Sequence, residues 1–173
     1  MLSLSTPRLQ LRTLTKEQLL QYLDQPEELA TELGITISRP ILTETTQRAI
    51  HMKAEKMAAA SERDHAWYTY WLIVLTEHAH GVGLVGYKGL TTGQEEVEIG
   101  YVIEPGHRNQ GYMTEAVKAL VNWAFTDPRC QAVFAPVLKT NPPSSRVLEK
   151  AGFWVERETE EKIDWRIEKG NTQ

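Results

Sequence analysis

The chain has 173 residues, of which 41% are hydrophobic and 24% charged, enough for one domain with a real core and typical of a globular protein. A net charge of −4 argues against a general nucleic-acid binder, which carries a basic stripe, and no apolar run reaches membrane-spanning length. The single cysteine, Cys130, cannot form an internal disulfide, which fits a reducing cytoplasm. No basic region followed by an apolar stretch opens the chain, so no signal peptide is expected. With no linker, repeat or low-complexity tract, the expectation is one domain over residues 1–173.

Residues 8–14 alternate and predict a first strand. Thr15-Lys16-Glu17-Gln18 reads as a capping box, with a short helix through Leu19, Leu20 and Leu23 behind it. A second helix is expected over residues 44–61, with Ile50, Ala54, Met57 and Ala58 inward. Residues 67–75 are apolar or aromatic on both faces, the pattern of a central strand covered on both sides. Within them Trp67, Tyr68, Tyr70 and Trp71 read as core and groove wall. His80-Gly81 reads as a turn, residues 82–90 as the next strand, and residues 91–94 as a second turn. A strand over residues 97–103 follows.

After that strand comes His107-Arg108-Asn109-Gln110-Gly111-Tyr112-Met113-Thr114-Glu115-Ala116. Met113, Ala116, Val117, Leu120, Val121 and Ala124 then mark one apolar helix face, which ends before Asp127-Pro128. A strand, a turn rich in backbone donors and a helix N-terminus make a phosphate site. The first helical N–H groups lack intrahelical partners, and the macrodipole places partial positive charge there. Gly111 permits close approach of a ligand, and Arg108 offers a donor fork. The pattern is neither a Walker loop nor a dinucleotide fingerprint. Residues 132–138 form the next expected strand, and Cys130 before them reads as a packed, inert thiol. Asn141 is a natural N-cap with Pro142 at the first helical position and Gly152 just past the end. Residues 153–158 and 163–169 close the chain as a hairpin. The five histidines are scattered: His78 and His80 sit two apart with no third ligand in view, and no metal is expected.

Arg108-x-x-Gly111 before an amphipathic helix resembles the acyl-CoA pyrophosphate loop of the GNAT N-acetyltransferases. Three other segments carry the same resemblance: Glu98-Ile99-Gly100-Tyr101, the run from Asn141 to Phe153, and the opening Thr6-Pro7-Arg8-Leu9-x-Leu11-Arg12. The last is similar to the branch containing the RimJ and RimL ribosomal-protein N-acetyltransferases. Met113 stands where the loop pattern has a small residue. Leu148 stands where many members carry a Tyr that protonates the departing thiolate, a Tyr that the RimJ/RimL-like branch commonly lacks.

The resemblance implies a mixed, mostly antiparallel sheet of about six to seven strands with helices on both faces. It implies acetyl-CoA as co-substrate, held by the loop residues Arg108, Asn109, Gln110, Gly111, Tyr112, Met113 and Thr114. The pantetheine arm would lie beside backbone groups of Val102 and Ile103, where a backbone N–H is the natural oxyanion donor, and Asn141 would bond its amide. Acyl transfer to an amine also needs a base. Strand alternation sets Glu98, Gly100 and Val102 on one face and Val97, Ile99, Tyr101 and Ile103 on the other. Glu98 is therefore an acid within a buried-looking strand and the first choice; Glu156 is the second, and Ser144 is a candidate proton donor to the thiolate. The expected activity is direct transfer of an acetyl group to a protein N-terminal amine or a small amine. The alternative is a non-catalytic acyl-CoA-binding sensor or scaffold. Neither a nucleic-acid nor a membrane partner is expected, and a homodimer is left open.

Overall fold

The computed structural model describes residues 1–37, 42–90, 93 and 95–170. Its strands are β1 (Ser3–Ser5), β2 (Leu9–Thr13), β3 (Thr36–Ile37), β4 (Tyr70–Leu75), β5 (His80–Tyr87), β6 (Glu96–Ile103), β7 (Ala132–Leu138), β8 (Trp154–Glu158) and β9 (Lys162–Glu168). Its α-helices are α1 (Lys16–Asp24), α2 (Pro26–Leu33), α3 (Glu44–Ala59), the single turn α4 (His65–Tyr68), α5 (Tyr112–Ala124) and α6 (Pro142–Ala151). The strands form one sheet in the order β1-β2-β4-β5-β6-β7-β9-β8, with β3 added beside β5. All pairs are antiparallel except β3–β5 and β6–β7.

The seven longer strands are those expected, and two short ones, β1 and β3, are additions. The Thr15 capping box forms as read, with both reciprocal hydrogen bonds present. Helix α2 was not anticipated, although Pro26 at its first position and the left-handed Gly34 at its end are its signals. The strand expected from residue 67 begins at Tyr70, because Trp67 and Tyr68 belong to α4. This turn of helix buries Trp67 against Tyr87 and Trp123, at ring distances of 5.2 and 4.6 Å, and lets Trp71 Nε1–H donate to the Ala66 carbonyl. His80 and Gly81 are strand rather than turn; the reversal lies just before them, with Ala79 at φ +46°. Of the turn expected at 91–94, Thr91, Thr92 and Gln94 lie outside the described residues.

Alternation in β4 divides the core between the two faces of the sheet. Trp71, Ile73 and Leu75 join α5 and α6 on one face, whereas Tyr70, Leu72 and Val74 join α1, α2 and α3 on the other. Cys130 is fully buried, and burial, with the nearby Asp127 charge behind it, pushes its thiol up to about 11. It is a packed side chain, as expected.

A buried lysine ties α3 to the sheet. Lys53 Nζ donates to the carbonyls of Tyr68 and Thr69 at 3.3 Å each and to that of Tyr87, and it lies 4.4 Å from the Tyr70 ring centroid. Burial, then the charges of Lys56 and Lys88, push its ammonium down to about 7 from 10.5. The folded chain therefore binds fewer protons than the unfolded chain between these values, and folding gains stability as pH rises through that window. Lys53→Met removes this dependence. The unfolding free energy of the parent chain, measured against Lys53→Met by denaturant titration, is expected to improve by a few kcal/mol from about pH 7 to 10.5, given about 1.4 kcal/mol per pKa unit. A pH-independent difference would refute the assignment.

Candidate active site

Strands β6 and β7 run together for only three residues. Their register is Glu96↔Ala132, Val97↔Val133 and Glu98↔Phe134, and it goes no further. Pro136 lies two residues on and has no N–H with which to extend the ladder. Past this point a cleft of about 600 Å³ opens between the end of β6, the start of α5 and one side of α6. The Tyr101 hydroxyl reaches across and donates to the Ser144 carbonyl at 3.1 Å. Burial pushes that hydroxyl well up, so it remains a neutral donor.

The loop before α5 contains two left-handed residues, Asn109 at φ +61° and Gly111 at φ +80°. Gly111 is the N-cap of α5, and no side chain caps the helix. The N–H groups of the first turn are thus left for an anion. Tyr112, Met113 and Thr114 of that turn line the cleft, together with the cations Arg108, Arg146 and Lys150. No Asp or Glu is among the described lining residues. A helix N-terminus and three cations without a competing carboxylate suit a polyphosphate ligand.

The N-terminal segment holds this loop in place. Arg8 donates to the Gln110 carbonyl at 2.9 Å, pairs with Glu115 at 2.7 Å and lies over the Tyr112 ring. Glu115 also accepts from the Thr6 hydroxyl at 2.6 Å and the Arg8 backbone N–H at 3.0 Å. Partial burial pushes the Glu115 carboxyl up, but the bonds from Thr6 and Arg8 together outweigh it and hold it below the usual value. Glu115 in the first turn also complements the helix dipole.

Of the cofactor residues expected from the sequence, all but Gln110 line this one cleft. Gln110 faces its own loop, where its side chain donates to the Gly106 carbonyl at 3.1 Å. Met113 packs into the core at 4% exposure, so its bulk is directed inward even though it borders the cleft. Leu148 is fully buried in the same core. Arg146, Lys150, Tyr101 and His107 also line the cleft and were not singled out. Arg146 and Lys150 are four apart on one helix, a spacing that could have marked them.

The catalytic candidates are spread out. Ser144 borders the cleft. Glu98 occupies the last paired position of β6 and β7, and its carboxylate meets Lys88 Nζ at 2.5 Å. Glu156 sits at an irregularity of the β8–β9 pair, exposed, with Arg166 at 3.4 Å. Neither acid is among the lining residues of the cleft.

Asn141 caps α6 by accepting from Ser144 N–H at 3.4 Å, a long bond. Asn141→Ala is therefore expected to cost only about 0.5 kcal/mol of stability, the low end for a cap. If Asn141 also bonds a pantetheine amide, the Michaelis constant for acetyl-CoA rises in the same variant. A fall in Tm with that constant unchanged would leave Asn141 as a cap alone.

The family profile of the acetyltransferase (GNAT) domain matches residues 8–154. The uncharacterized N-acetyltransferase YjdG of Bacillus subtilis (strain 168) is 32% identical over 95 residues, covering 55% of this chain and 56% of that protein. The chain spans about half the length of this curated relative. Among solved structures, the ribosomal-protein-S5-alanine acetyltransferase of Vibrio fischeri aligns with a TM-score of 0.68 at 18% identity, covering 100% of both chains. RimL, a ribosomal L7/L12 α-N-protein acetyltransferase solved with coenzyme A, aligns with a TM-score of 0.65 at 14% identity, covering 94% of this chain and 95% of that one. At these identities the structural likeness speaks for the fold.

Proposed function

Because the chain belongs to the GNAT acetyltransferase family, we propose that it moves an acetyl group from acetyl-CoA to a primary amine by direct transfer in a ternary complex. The carrying observation is the cleft beside the parted strands, with a helix N-terminus that no side chain caps, three cations and, among the described lining residues, no carboxylate. The loop from Arg108 to Thr114 would hold the pyrophosphate, and Arg146 and Lys150 would add charge at the same end. Val102 and Ile103 would flank the pantetheine arm, and a backbone N–H of this strand would receive the charge that develops on the carbonyl oxygen. Asn141 would bond the arm, and Ser144 would supply a proton to the leaving thiolate. The bound thioester supplies the activated acetyl group.

Glu98 is the proposed base, with Glu156 as the second choice. It stands where β6 and β7 separate, and its pairing with Lys88 makes it a group that already receives a primary ammonium. An acceptor ammonium would compete with Lys88 for it. The acceptor proposed is a protein N-terminal amine, as in the RimL comparison, or a small amine. The proposed setting is cytoplasmic; no helix among the described residues is long and apolar enough to cross a membrane.

The Lys88–Glu98 pair also favours a second reading, a non-catalytic acyl-CoA sensor, because it occupies the proposed base. Incubation with acetyl-CoA and a panel of amines and N-terminal peptides, read by release of the CoA thiol, separates the two. Acceptor-dependent thiol release is expected. Tight acetyl-CoA binding without release across the panel would favour the sensor.

A further inference from the structure

At the edge of the candidate cleft, which His107 also lines, one cluster brings together three potential ligands from two parts of the chain. His80 opens β5, Glu104 follows the last residue of β6, and His107 ends the 3₁₀ turn Pro105–His107. One ligand atom from each lies within 4.8 Å of the other two. Glu104 Oε2 is 3.1 Å from His107 Nδ1 and 3.5 Å from His80 Nε2. Tetrahedral zinc with bonds of about 2.0–2.1 Å separates its donors by about 3.3 Å. The two observed separations bracket that value.

Hydrogen bonding leaves two polar atoms of the same cluster unsatisfied. Glu104 is buried at 4% exposure, and among the described residues neither its Oε1 nor His107 Nδ1 has a hydrogen-bond partner. The 3.1 Å approach of His107 to Glu104 is therefore close without being aligned as a hydrogen bond. A buried carboxylate between two misaligned imidazoles is costly unless a cation draws the three together. The far side of His80 fits the same arrangement: its Nδ1 meets Thr36 Oγ1 at 2.5 Å. Donation of Nδ1–H to Thr36 leaves the Nε2 lone pair facing Glu104, the outer-shell pattern of metal-bound histidine.

We propose that His80, Glu104 and His107 form a divalent transition-metal site, with zinc as the best-matched ion. Two imidazoles and one carboxylate are borderline donors that suit zinc and cobalt and do not suit calcium or magnesium, which take oxygen ligands. Three protein ligands leave a fourth position for water or another small ligand. The histidine spacing in sequence led to no metal being expected, and of the His78/His80 pair only His80 belongs to this cluster. The exposed His78 pairs with Glu77 instead. Since the proposal does not depend on acyl transfer, its test does not involve activity.

The test uses the full chain without a polyhistidine tag, stripped with a chelator and then titrated with Co²⁺ or Zn²⁺ alone. One equivalent of Co²⁺ is expected to give a visible d–d band that one equivalent of Zn²⁺ displaces. Glu104→Gln and His107→Ala should each weaken Zn²⁺ binding by about 100-fold or more, and Thr36→Val by about 10-fold or more, the range for outer-shell partners. His78→Ala should leave binding unchanged. Circular dichroism of each variant confirms folding, and Thr36→Val tests the site without removing a ligand. Absence of a stoichiometric Co²⁺ band in the folded parent chain would overturn the proposal. So would Zn²⁺ affinity that survives in folded Glu104→Gln and His107→Ala.

Discussion

Gly111→Val is expected to raise the dissociation constant for acetyl-CoA by about 100-fold, with the chain still folded. Gly111 adopts φ +80° and ψ −2°, a left-handed conformation that a β-branched residue takes only with strain. An added Cβ would also meet the Arg8 guanidinium at 3.3 Å, the group that pins Gln110 and Glu115. The loop must shift, and the N–H groups of the first turn of α5 lose their aim. Hydrogen bonds to a charged partner are worth about 1.5–3 kcal/mol each, so losing two removes at least about 3 kcal/mol, or roughly 100-fold in affinity. Gly111→Asn separates the two causes, since Asn tolerates a left-handed backbone. It is expected to retain much more affinity than Gly111→Val. Unchanged binding of acetyl-CoA to Gly111→Val in calorimetry would rule out this loop as the pyrophosphate site.

The features legible in the sequence are those with a local physical signature. Helix α5 was readable from the spacing of Met113, Ala116, Val117, Leu120 and Val121, all of which are buried. Helix α6 was readable from Asn141, Pro142 and Gly152, which occupy the N-cap, first and C-cap positions. The residues proposed for the cofactor came from a loop pattern with a backbone cause and from the family resemblance, and nearly all of them line one cleft. What could not be read depended on partners distant in the chain. Arg8 lies 102 residues from Gln110, yet it fixes the loop, and no pattern around Arg8 foretells that contact. Lys53 looks like an ordinary surface lysine of α3 until Tyr68 at the end of α4, Thr69 after it and Tyr87 at the end of β5 supply three carbonyls. The strand boundary at Tyr70 was misplaced because Trp67 and Tyr68 suit a strand by propensity, while the aromatic cluster with Tyr87 and Trp123 decides in favour of a helical turn. Pro136 did signal where β6 and β7 part, but its meaning depends on which strand lies beside it.

Glu98→Gln is expected to lower the turnover number by about 100-fold or more, the scale of general-base loss, with little change in the Michaelis constant for acetyl-CoA. An amine acceptor at neutral pH is largely protonated, and transfer requires its neutral form. Glu98 sits at the last residue pair before the cleft opens, on the strand proposed to carry the thioester. Its side chain is 20% exposed, so solvent or an acceptor can reach it. Lys88 is the obstacle, at 2.5 Å, but its own side chain is 62% exposed and the pair is worth at most about 1 kcal/mol. A bound amine can therefore displace it, and loss of the pair does not unfold the Gln variant. Lys88→Met adds the complementary test: with the competitor gone, the Michaelis constant for the amine should fall while turnover is preserved. The acidic limb of the pH–rate profile should shift or vanish in Glu98→Gln and persist in Lys88→Met. Near-normal turnover and an unchanged profile in Glu98→Gln would exclude Glu98 and pass the role to Glu156, which Arg166 holds at 3.4 Å on an exposed strand. If Glu156→Gln is equally silent, water takes the proton, and the protein accelerates the reaction mainly by holding amine and thioester in contact.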